Sequence, residues 1–280
     1  MLQAGSYQKL EVSRVSDFGL YLKDEQDEEV LLPNRFVSLE NKVGDMLDVF
    51  VYHDSEDRLV ASTEHPKATV GQVAFLRVVD KTVHGAFLEW GLQGKDLFLP
   101  NRNQVGAVNI DEKVLVYVYR DNITGRAVAT NRLNGYISNA DLDLKYKQQV
   151  TCTVAIALPM GYRVVIDNKY WGMIYRNQIF RPVTIGDTLE GFVSKITEDN
   201  RVDISLQKQG YDQVKISAEQ ILAKLEDNSG TLDLDDNSSP EQVHLYTGMS
   251  KKVFKRSVGY LLKRGDIEIM KAGGIRLIKK

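Results

Sequence analysis

The chain has 280 residues, and its 36 Lys and Arg nearly balance its 38 Asp and Glu, for a formal net charge of −2 at pH 7. The single cysteine, Cys152, excludes an internal disulfide framework and fits a reducing compartment. The N-terminus lacks the charged and then apolar pattern of a secretory leader, and no apolar run is long enough to span a bilayer. We therefore expect a cytoplasmic protein with no membrane contact.

The charge is distributed unevenly along the chain. Residues 1–66 hold six basic and 14 acidic side chains, whereas residues 251–280 hold ten basic and two acidic ones. A polyanion is therefore expected to be repelled by the first segment and attracted by the last.

An internal repeat occupies most of the chain. The tetrapeptide Leu-Pro-Asn-Arg at 32–35 recurs at 99–102, and each copy follows a glycine-containing strand pattern at 18–21 or 84–87. An acidic residue stands 11 positions after the turn asparagine in both copies, from Asn34 to Asp45 and from Asn101 to Glu112. A diverged third copy has its glycine at 161 and its turn at 174–177, with Asp187 ten positions after Asn177. Such self-similarity indicates repeated structural units.

Each repeat predicts a small β-barrel. Apolar residues alternate in each, starting at 7–12, 73–78 and 150–156, as is typical of half-buried strands. Turn-forming residues interrupt the alternation at 24–27, 54–57, 121–125, 167–169 and 198–200. About five strands in about 65 residues favour a closed barrel, because closure removes the sheet edges. We predict a mainly β protein with domains at 1–66, 67–140 and 141–210, followed by a different domain at 211–280.

The order of strands and turns resembles the S1-like RNA-binding domain, an OB-fold barrel. The segment 172–179 in the third repeat shows the glycine, apolar and aromatic turn of that family best. The resemblance implies that single-stranded RNA lies across the second and third strands, where aromatic side chains stack on bases and cationic ones hold phosphates. The positions that it implies are Phe18, Tyr21, Asp54 and Arg58 in the first repeat, His84, Phe87, Asp121 and Arg126 in the second, and Tyr162, Arg163, Tyr175, Arg176 and Arg201 in the third.

The sequence departs from the S1-like pattern in two ways. Leu32 and Leu99 lie near the turn position where that family often has histidine, and the first repeat is strongly acidic. We therefore expect the first barrel to bind RNA poorly and to act as a protein-contact module. Strand alternation also places Phe18 and Tyr21 on opposite faces of a regular strand, so either a bulge or strong twist occurs at the glycine or one aromatic packs in the core.

The last domain reads as three helices and a hairpin. Ser217 is a candidate N-cap with Gln220 as its capping-box partner, and Ser239 precedes Pro240 at the start of a second helix that stops near Gly248. A third amphipathic helix begins after residue 250 and ends before residue 265, and two alternating segments flank the glycines at 273–274.

This order of elements resembles a winged-helix domain, whose third helix is the recognition element and whose hairpin is the wing. The resemblance implies nucleic-acid contacts from the helix and from the wing, through Lys251, Lys252, Lys255, Arg256, Lys271 and Arg276. The alternative is that these charges form a solvated or protein-binding face. Three S1-like units followed by a winged helix resemble the conserved virulence factor B family (CvfB/YitL-like) of Gram-positive bacteria. That resemblance implies RNA binding and regulation of gene expression after transcription.

The sequence offers no catalytic constellation. The histidines at 53, 65, 84 and 244 are scattered over different repeats, one cysteine leaves no zinc site, and no phosphate-binding glycine loop occurs. We predict no catalytic residue, metal or cofactor, and expect Cys152 to lie in the core; a nuclease with a metal held by scattered carboxylates is the enzymatic alternative. The leading hypothesis is a non-enzymatic binder of single-stranded RNA. The alternatives are an adaptor that docks on the ribosome or the transcription machinery, and a DNA-binding regulator that acts through the winged helix.

Overall fold

The computed structural model describes residues 1–179, 182–206, 211–270 and 273–278, and for 211–213 it describes the backbone alone. The chain forms two compact units, Met1–Ser138 and Asn139–Lys280. The first unit contains two five-stranded barrels, and the second contains a third barrel and a helical domain. Among the described residues, no helix has the length and apolar character needed to cross a membrane.

The first barrel closes on itself. Its strands are β1 (Ser6–Ser16), β2 (Gly19–Lys23), β3 (Glu29–Pro33), β4 (Met46–His53) and β5 (Leu59–Ser62). They follow the order β1-β2-β3-β5-β4, and one parallel residue pair, Leu31 with Val60, closes the ring. Alternating residues such as Leu20 and Leu22 fill the interior, because successive side chains of a strand point to opposite faces.

The second barrel has the same strand arrangement and is nearly closed. Its strands are β6 (Val73–Thr82), β7 (Gly85–Leu92), β8 (Lys95–Pro100), β9 (Lys113–Arg120) and β10 (Ala127–Thr130). They follow the order β10-β9-β6-β7-β8, and β8 does not pair with β10. The expected closure is therefore met except for this one strand pairing. The closing contact is a single residue pair in the first barrel, so a small separation of two strands is enough to lose it.

The first two barrels share a packed core. Trp90 of the second barrel is buried, contacts Phe50 of the first with ring centroids 5.5 Å apart, and donates its indole N–H to the carbonyl of Ala68 at 2.7 Å. Phe50, Tyr52 and Val60 belong to the same apolar cluster as the interior of the second barrel. Burial of aromatic surface on this scale couples the two barrels into one unit.

The third barrel is closed like the first. Its strands are β11 (Gln149–Leu158), β12 (Gly161–Ile166), β13 (Tyr170–Tyr175), β14 (Thr188–Ile196) and β15 (Val202–Ser205). Two parallel pairs, Gly172 with Val202 and Met173 with Asp203, close it. Cys152 lies fully buried in its core, as the apolar alternation predicts.

The last domain contains α1 (Tyr211–Asp227), β16 (Thr231–Leu232), α2 (Pro240–Thr247), α3 (Lys251–Arg264), β17 (Ile267–Ile269) and β18 (Ile275–Leu277). The three strands form a sheet in the order β16-β18-β17, and the helices pack around Ile221, Val243 and Phe254. The prediction of three OB-type barrels followed by a winged helix is confirmed.

The helix caps are predicted correctly for two helices and wrongly for one. Ser239 caps α2 in a capping box with Gln242, and Ser250 caps α3. Ser217 does not cap α1: that helix begins at Tyr211 and buries Ser217 in its interior. The local capping-box pattern misled the prediction because a small hydroxyl side chain also fits a crowded helix interface.

Each repeat places a short 3-10 turn after its third strand, at Asn34–Phe36, Asn101–Asn103 and Arg176–Gln178. The first residue of each turn donates its backbone N–H to the residue just before the repeat's glycine, namely Phe18, His84 and Met160. Arg176, and not Asn177, is therefore the counterpart of Asn34 and Asn101. Counted from Arg176, Asp187 also follows by 11 positions.

The acidic residue of each repeat has a structural role. The carboxylates of Asp45, Glu112 and Asp187 each accept the backbone N–H of the residue three positions earlier, at 2.7 to 2.9 Å. This contact caps the tight turn that leads into the fourth strand. The spacing that reveals the repeat therefore reflects turn formation rather than a binding site.

Candidate nucleic-acid interface

The glycine of each repeat is required by a close approach of two backbones. A Cβ added to Gly19, Gly85 or Gly161 would lie 2.0 to 2.4 Å from the carbonyl oxygen of Leu32, Leu99 or Ile174, respectively. No side chain fits at such a distance from a backbone atom of the neighbouring strand, so glycine lets the second and third strands pair this closely at their ends. This close pairing fixes the positions of the residues that flank the glycine.

The residue before each glycine lies outside the strand. Phe18 occupies the turn that precedes β2 and is 72% exposed, and His84 is exposed at the same place before β7. Each barrel has a bulge in its first strand, at 12–14, 78–80 and 154–156, rather than at the glycine. Strand alternation therefore does not prevent Phe18 and Tyr21 from both facing outward, because Phe18 lies in the turn and only Tyr21 lies on the strand.

The residue two positions after each glycine points outward and differs among the barrels. It is Tyr21 in the first barrel, Phe87 in the second and Arg163 in the third, and all three are half-buried. In the first barrel, the Arg14 guanidinium lies 3.5 Å from the centroid of the Tyr21 ring, and Glu29 holds Arg14 through a 2.9 Å ion pair. The stacking face of Tyr21 is thus occupied by the barrel's own side chains.

The second barrel presents an aromatic pair in an open groove. Phe87 on β7 lies in register with Phe98 on β8, with ring centroids 5.2 Å apart and planes inclined by 40°. Both rings line a cavity of about 660 Å³, together with His84 and Arg102. A groove that combines aromatic faces with cations has the chemistry needed to bind unstacked bases and phosphates.

The predicted cation of this barrel, Arg126, also lines the groove but is engaged. Its Nε and Nη2 donate to the two carboxylate oxygens of Asp57 in the first barrel, each at 2.6 Å. Asp121 has a structural role: it is buried, accepts the backbone N–H groups of Ile123 and Thr124, and pairs with Arg102 at 3.1 Å. Arg126 thus pairs with a carboxylate of the first barrel and not with the aspartate of its own turn.

The corresponding arginines of the other two barrels stay within their own turns. Arg58 pairs with Asp54 at 2.8 Å, and Arg201 pairs with Asp199 at 2.8 Å. Surface ion pairs of this kind contribute about 0–1 kcal/mol each.

Two groups that line the groove are partly desolvated. Burial, followed by repulsion from Arg126, lowers the pKa of Lys95, whose Nζ donates to the carbonyl of Asp54 at 3.1 Å. Burial also lowers the pKa of His53, and its buried Nδ1 has no hydrogen-bond partner among the described residues.

The third barrel places its predicted residues differently from the resemblance. Tyr162 follows Gly161 directly, so alternation turns it toward the core, where its hydroxyl donates to the carbonyl of Val183 at 2.9 Å. Arg163 points outward and lies 3.8 Å from the ring centroid of Trp171. Tyr175 is half-buried on the same strand face as Trp171. Arg176 is exposed and donates to the carbonyl of Leu158 at 3.3 Å.

The winged helix carries a basic face on α3. Lys252, Lys255 and Arg256 are exposed there, Lys251 is half-buried, and Lys255 pairs with Asp236 at 3.3 Å. In the wing, the Nε of Arg276 donates to Glu268 at 2.9 Å, and Lys271 lies outside the described residues. The assignment of all these residues to nucleic-acid contact stays a prediction.

Sequence reasoning missed three outward residues: Phe98, Trp171 and Met160. Phe98 stands two positions before Pro100, where strand alternation could have identified it. Met160 is the counterpart of Phe18 and His84, and Trp171 forms the platform beneath Arg163.

The described residues contain no group of three or more His, Cys, Asp or Glu side chains placed to hold a metal ion. Burial raises the pKa of the Cys152 thiol to about 12, so its nucleophilic thiolate is scarce at neutral pH.

Comparison with known proteins assigns both kinds of domain. An S1 domain model matches residues 4–64 and again 70–131, and a CvfB-like winged helix domain model matches residues 219–277. The YitL protein of Bacillus subtilis is 27% identical over 273 residues, which cover 95% of this chain and 91% of that protein.

The chain belongs to the CvfB/YitL family. Conserved virulence factor B of Staphylococcus saprophyticus is 26% identical and matches 99% of this chain over 95% of its own length. A Streptococcus pneumoniae multidomain protein with nucleic acid binding domains is 22% identical, with 98% of each chain covered and a TM-score of 0.42. The two S1 matches and the winged-helix match make this CvfB/YitL protein a multidomain chain of the nucleic-acid-binding S1/OB type.

Proposed function

We propose that this CvfB/YitL protein binds single-stranded RNA and that the groove of the second barrel is its principal base-binding site. The observation that supports the proposal is the Phe87–Phe98 pair, which lies in an open groove beside His84 and Arg102. The corresponding outward positions in the other barrels are covered by Arg14 or are themselves arginine.

Single strands are the favoured ligand because only unpaired bases expose both ring faces for stacking. Stacking on an aromatic side chain contributes about 1–3 kcal/mol per base. The basic face of α3 and the Arg163–Trp171 pair supply further contacts for the same ligand. A role in regulating gene expression after transcription is the second part of the proposal, and it rests on family membership.

The test is fluorescence anisotropy of the full chain with a labelled single-stranded RNA, the matching single-stranded DNA and a duplex DNA, at about 50 and 200 mM salt. We expect salt-sensitive binding that favours the single strands. The variant Phe98→Ala should weaken RNA binding about tenfold, in line with the loss of one stacking contact. The matched control is Tyr246→Ala, which removes an exposed aromatic of α2.

Two results would contradict the proposal. One is binding that Phe98→Ala leaves unchanged. The other is an absence of binding to all three ligands, which would favour a protein-docking role, the second candidate supported by the acidic first barrel.

A further inference from the structure

The first barrel contributes a carboxylate to the groove of the second. Asp57, at the tip of the β4–β5 turn, holds Arg126 through two parallel hydrogen bonds of 2.6 Å. Both side chains are about half exposed, so the pair lies at the surface of the groove and not in the core. Asp57 thus occupies the Nε–Nη2 edge of the Arg126 guanidinium, the edge that would otherwise pair with two oxygens of one phosphate.

The turn around Asp57 is suited to hold the carboxylate in place. Asp57 has a positive φ of 66°, a conformation that Asp and Asn tolerate better than most residues, and its N–H donates to the carbonyl of Asp54 at 3.2 Å. The arginines at the equivalent positions of the other barrels pair within their own turns, so only Arg126 is held by another barrel.

We propose that Asp57 is a selectivity residue of the groove, an intramolecular competitor that occupies Arg126 until a phosphodiester strand displaces it. The proposal rests on the proposed RNA-binding function of the same groove. A ligand with a single phosphate gains little when it must first replace a bidentate carboxylate. A strand that also stacks on Phe87 and Phe98 is held nearby, and its phosphates can then take over Arg126. The first barrel thereby selects strands over mononucleotides without binding RNA itself.

The experiment measures the affinity of the full chain for a labelled single-stranded RNA and for uridine monophosphate. Asp57→Asn preserves the turn, since asparagine accepts the same φ, and it removes the charge. We expect it to tighten RNA binding about fivefold, the equivalent of the roughly 1 kcal/mol upper value for an exposed ion pair. The affinity for RNA divided by the affinity for the mononucleotide should fall, because the variant raises the affinity for the mononucleotide by the larger factor.

The matched control is Asp96→Asn. Asp96 lines the same groove and carries the same charge, yet it forms no ion pair among the described residues. It therefore reports the effect of removing one negative charge without releasing an arginine. In the Arg126→Gln background, the effect of Asp57→Asn should vanish, since the two residues act as a pair.

The inference is overturned if Asp57→Asn tightens RNA binding no more than Asp96→Asn, if it weakens binding, or if its effect persists without Arg126. Failure of the underlying function has a different signature: the unaltered protein either does not bind RNA or binds it equally well after Phe98→Ala. Urea unfolding of each variant verifies that the folded state is retained.

Discussion

The guanidinium carbon of Arg14 lies 3.5 Å from the centroid of the Tyr21 ring, so the aromatic of the first barrel that faces outward is already stacked. Glu29 holds Arg14 in place. We predict that Tyr21→Ala changes RNA affinity less than about twofold, whereas Phe98→Ala lowers it about tenfold. Anisotropy titrations of the two variants side by side measure the difference. Equal losses would show that the first barrel binds bases as well as the second.

The close approach of the two backbones at Gly85 predicts a large loss of stability on substitution. A Cβ there would lie 2.4 Å from the Leu99 carbonyl oxygen and 2.9 Å from Pro100 Cα, both backbone atoms. Gly85→Ala should therefore lower the free energy of unfolding by about 3 kcal/mol, as overpacking does when neither neighbour can move. Gly135→Ala, where a Cβ meets nothing within 4 Å, is the control and should stay within about 0.5 kcal/mol. Urea denaturation gives both values, and similar midpoints would contradict the prediction.

Cys152 should be unreactive in the folded protein. It is fully buried, and burial raises its pKa to about 12, so both access and thiolate formation are suppressed. A chromogenic disulfide reagent at pH 8 should label the chain slowly in buffer and rapidly in concentrated urea. Because this is the single cysteine of the chain, the rate reports opening of the third barrel alone. Rapid labelling without denaturant would show that the barrel opens readily.

The stability of the first unit should fall as the pH drops below neutrality. Burial lowers the pKa of His53 below 6.5, so the unfolded chain binds more protons than the folded one between that value and the lower folded pKa. The contribution of the neutral His53 imidazole to the free energy of unfolding is fully present above pH 6.5. It is lost as the pH falls from 6.5 through the lower pKa of the folded state. Unfolding in urea at pH 7.5 and 5.5 should show a smaller pH effect in His53→Gln than in the unaltered protein. An equal pH effect in both would place the titrating group elsewhere.

The basic face of α3 predicts a change in salt dependence. Lys252 and Arg256 are exposed one turn apart, and each contact with a single-stranded phosphate adds about 0.7 to the slope of log K against log salt. The double variant Lys252→Ala/Arg256→Ala should therefore reduce the magnitude of that slope by roughly 1.4. Lys263→Ala removes a charge near the end of the same helix and serves as the control. An unchanged slope in the double variant would indicate that the face does not contact phosphates.

The fold could be predicted from the sequence because the residues that recur in each repeat are those that the backbone geometry requires. Gly85 permits a close approach of two paired strands, Glu112 caps a turn, and the alternation between them separates core from surface. Each of these requirements is met within one repeat, so the spacing of the recurring residues reveals it from the sequence alone. The same holds for Ser239 and Ser250, which cap their helices through short-range hydrogen bonds.

The candidate site could be predicted only in part because it depends on contacts between distant segments. Tyr162 satisfies the family pattern as an aromatic beside a glycine, yet strand parity turns it inward. The groove of the second barrel is lined by residues of β8, of β10 and of turns far apart in the chain. The pairing of Arg126 with Asp57 joins residues 69 positions apart in different repeats, and no local pattern contains it.

The insertion of Trp90 against Phe50 also determines how the molecule can be divided. A fragment that begins near residue 67 would leave the indole without its aromatic neighbour, and a fragment that ends there would expose Phe50, Tyr52 and Val60 to water. Either fragment would tend to aggregate, so a loss of RNA binding by that fragment would not test whether its barrel contacts RNA. The smallest fragment suited to biophysical work on this half of the chain is therefore Met1–Ser138, although the sequence repeats twice within it.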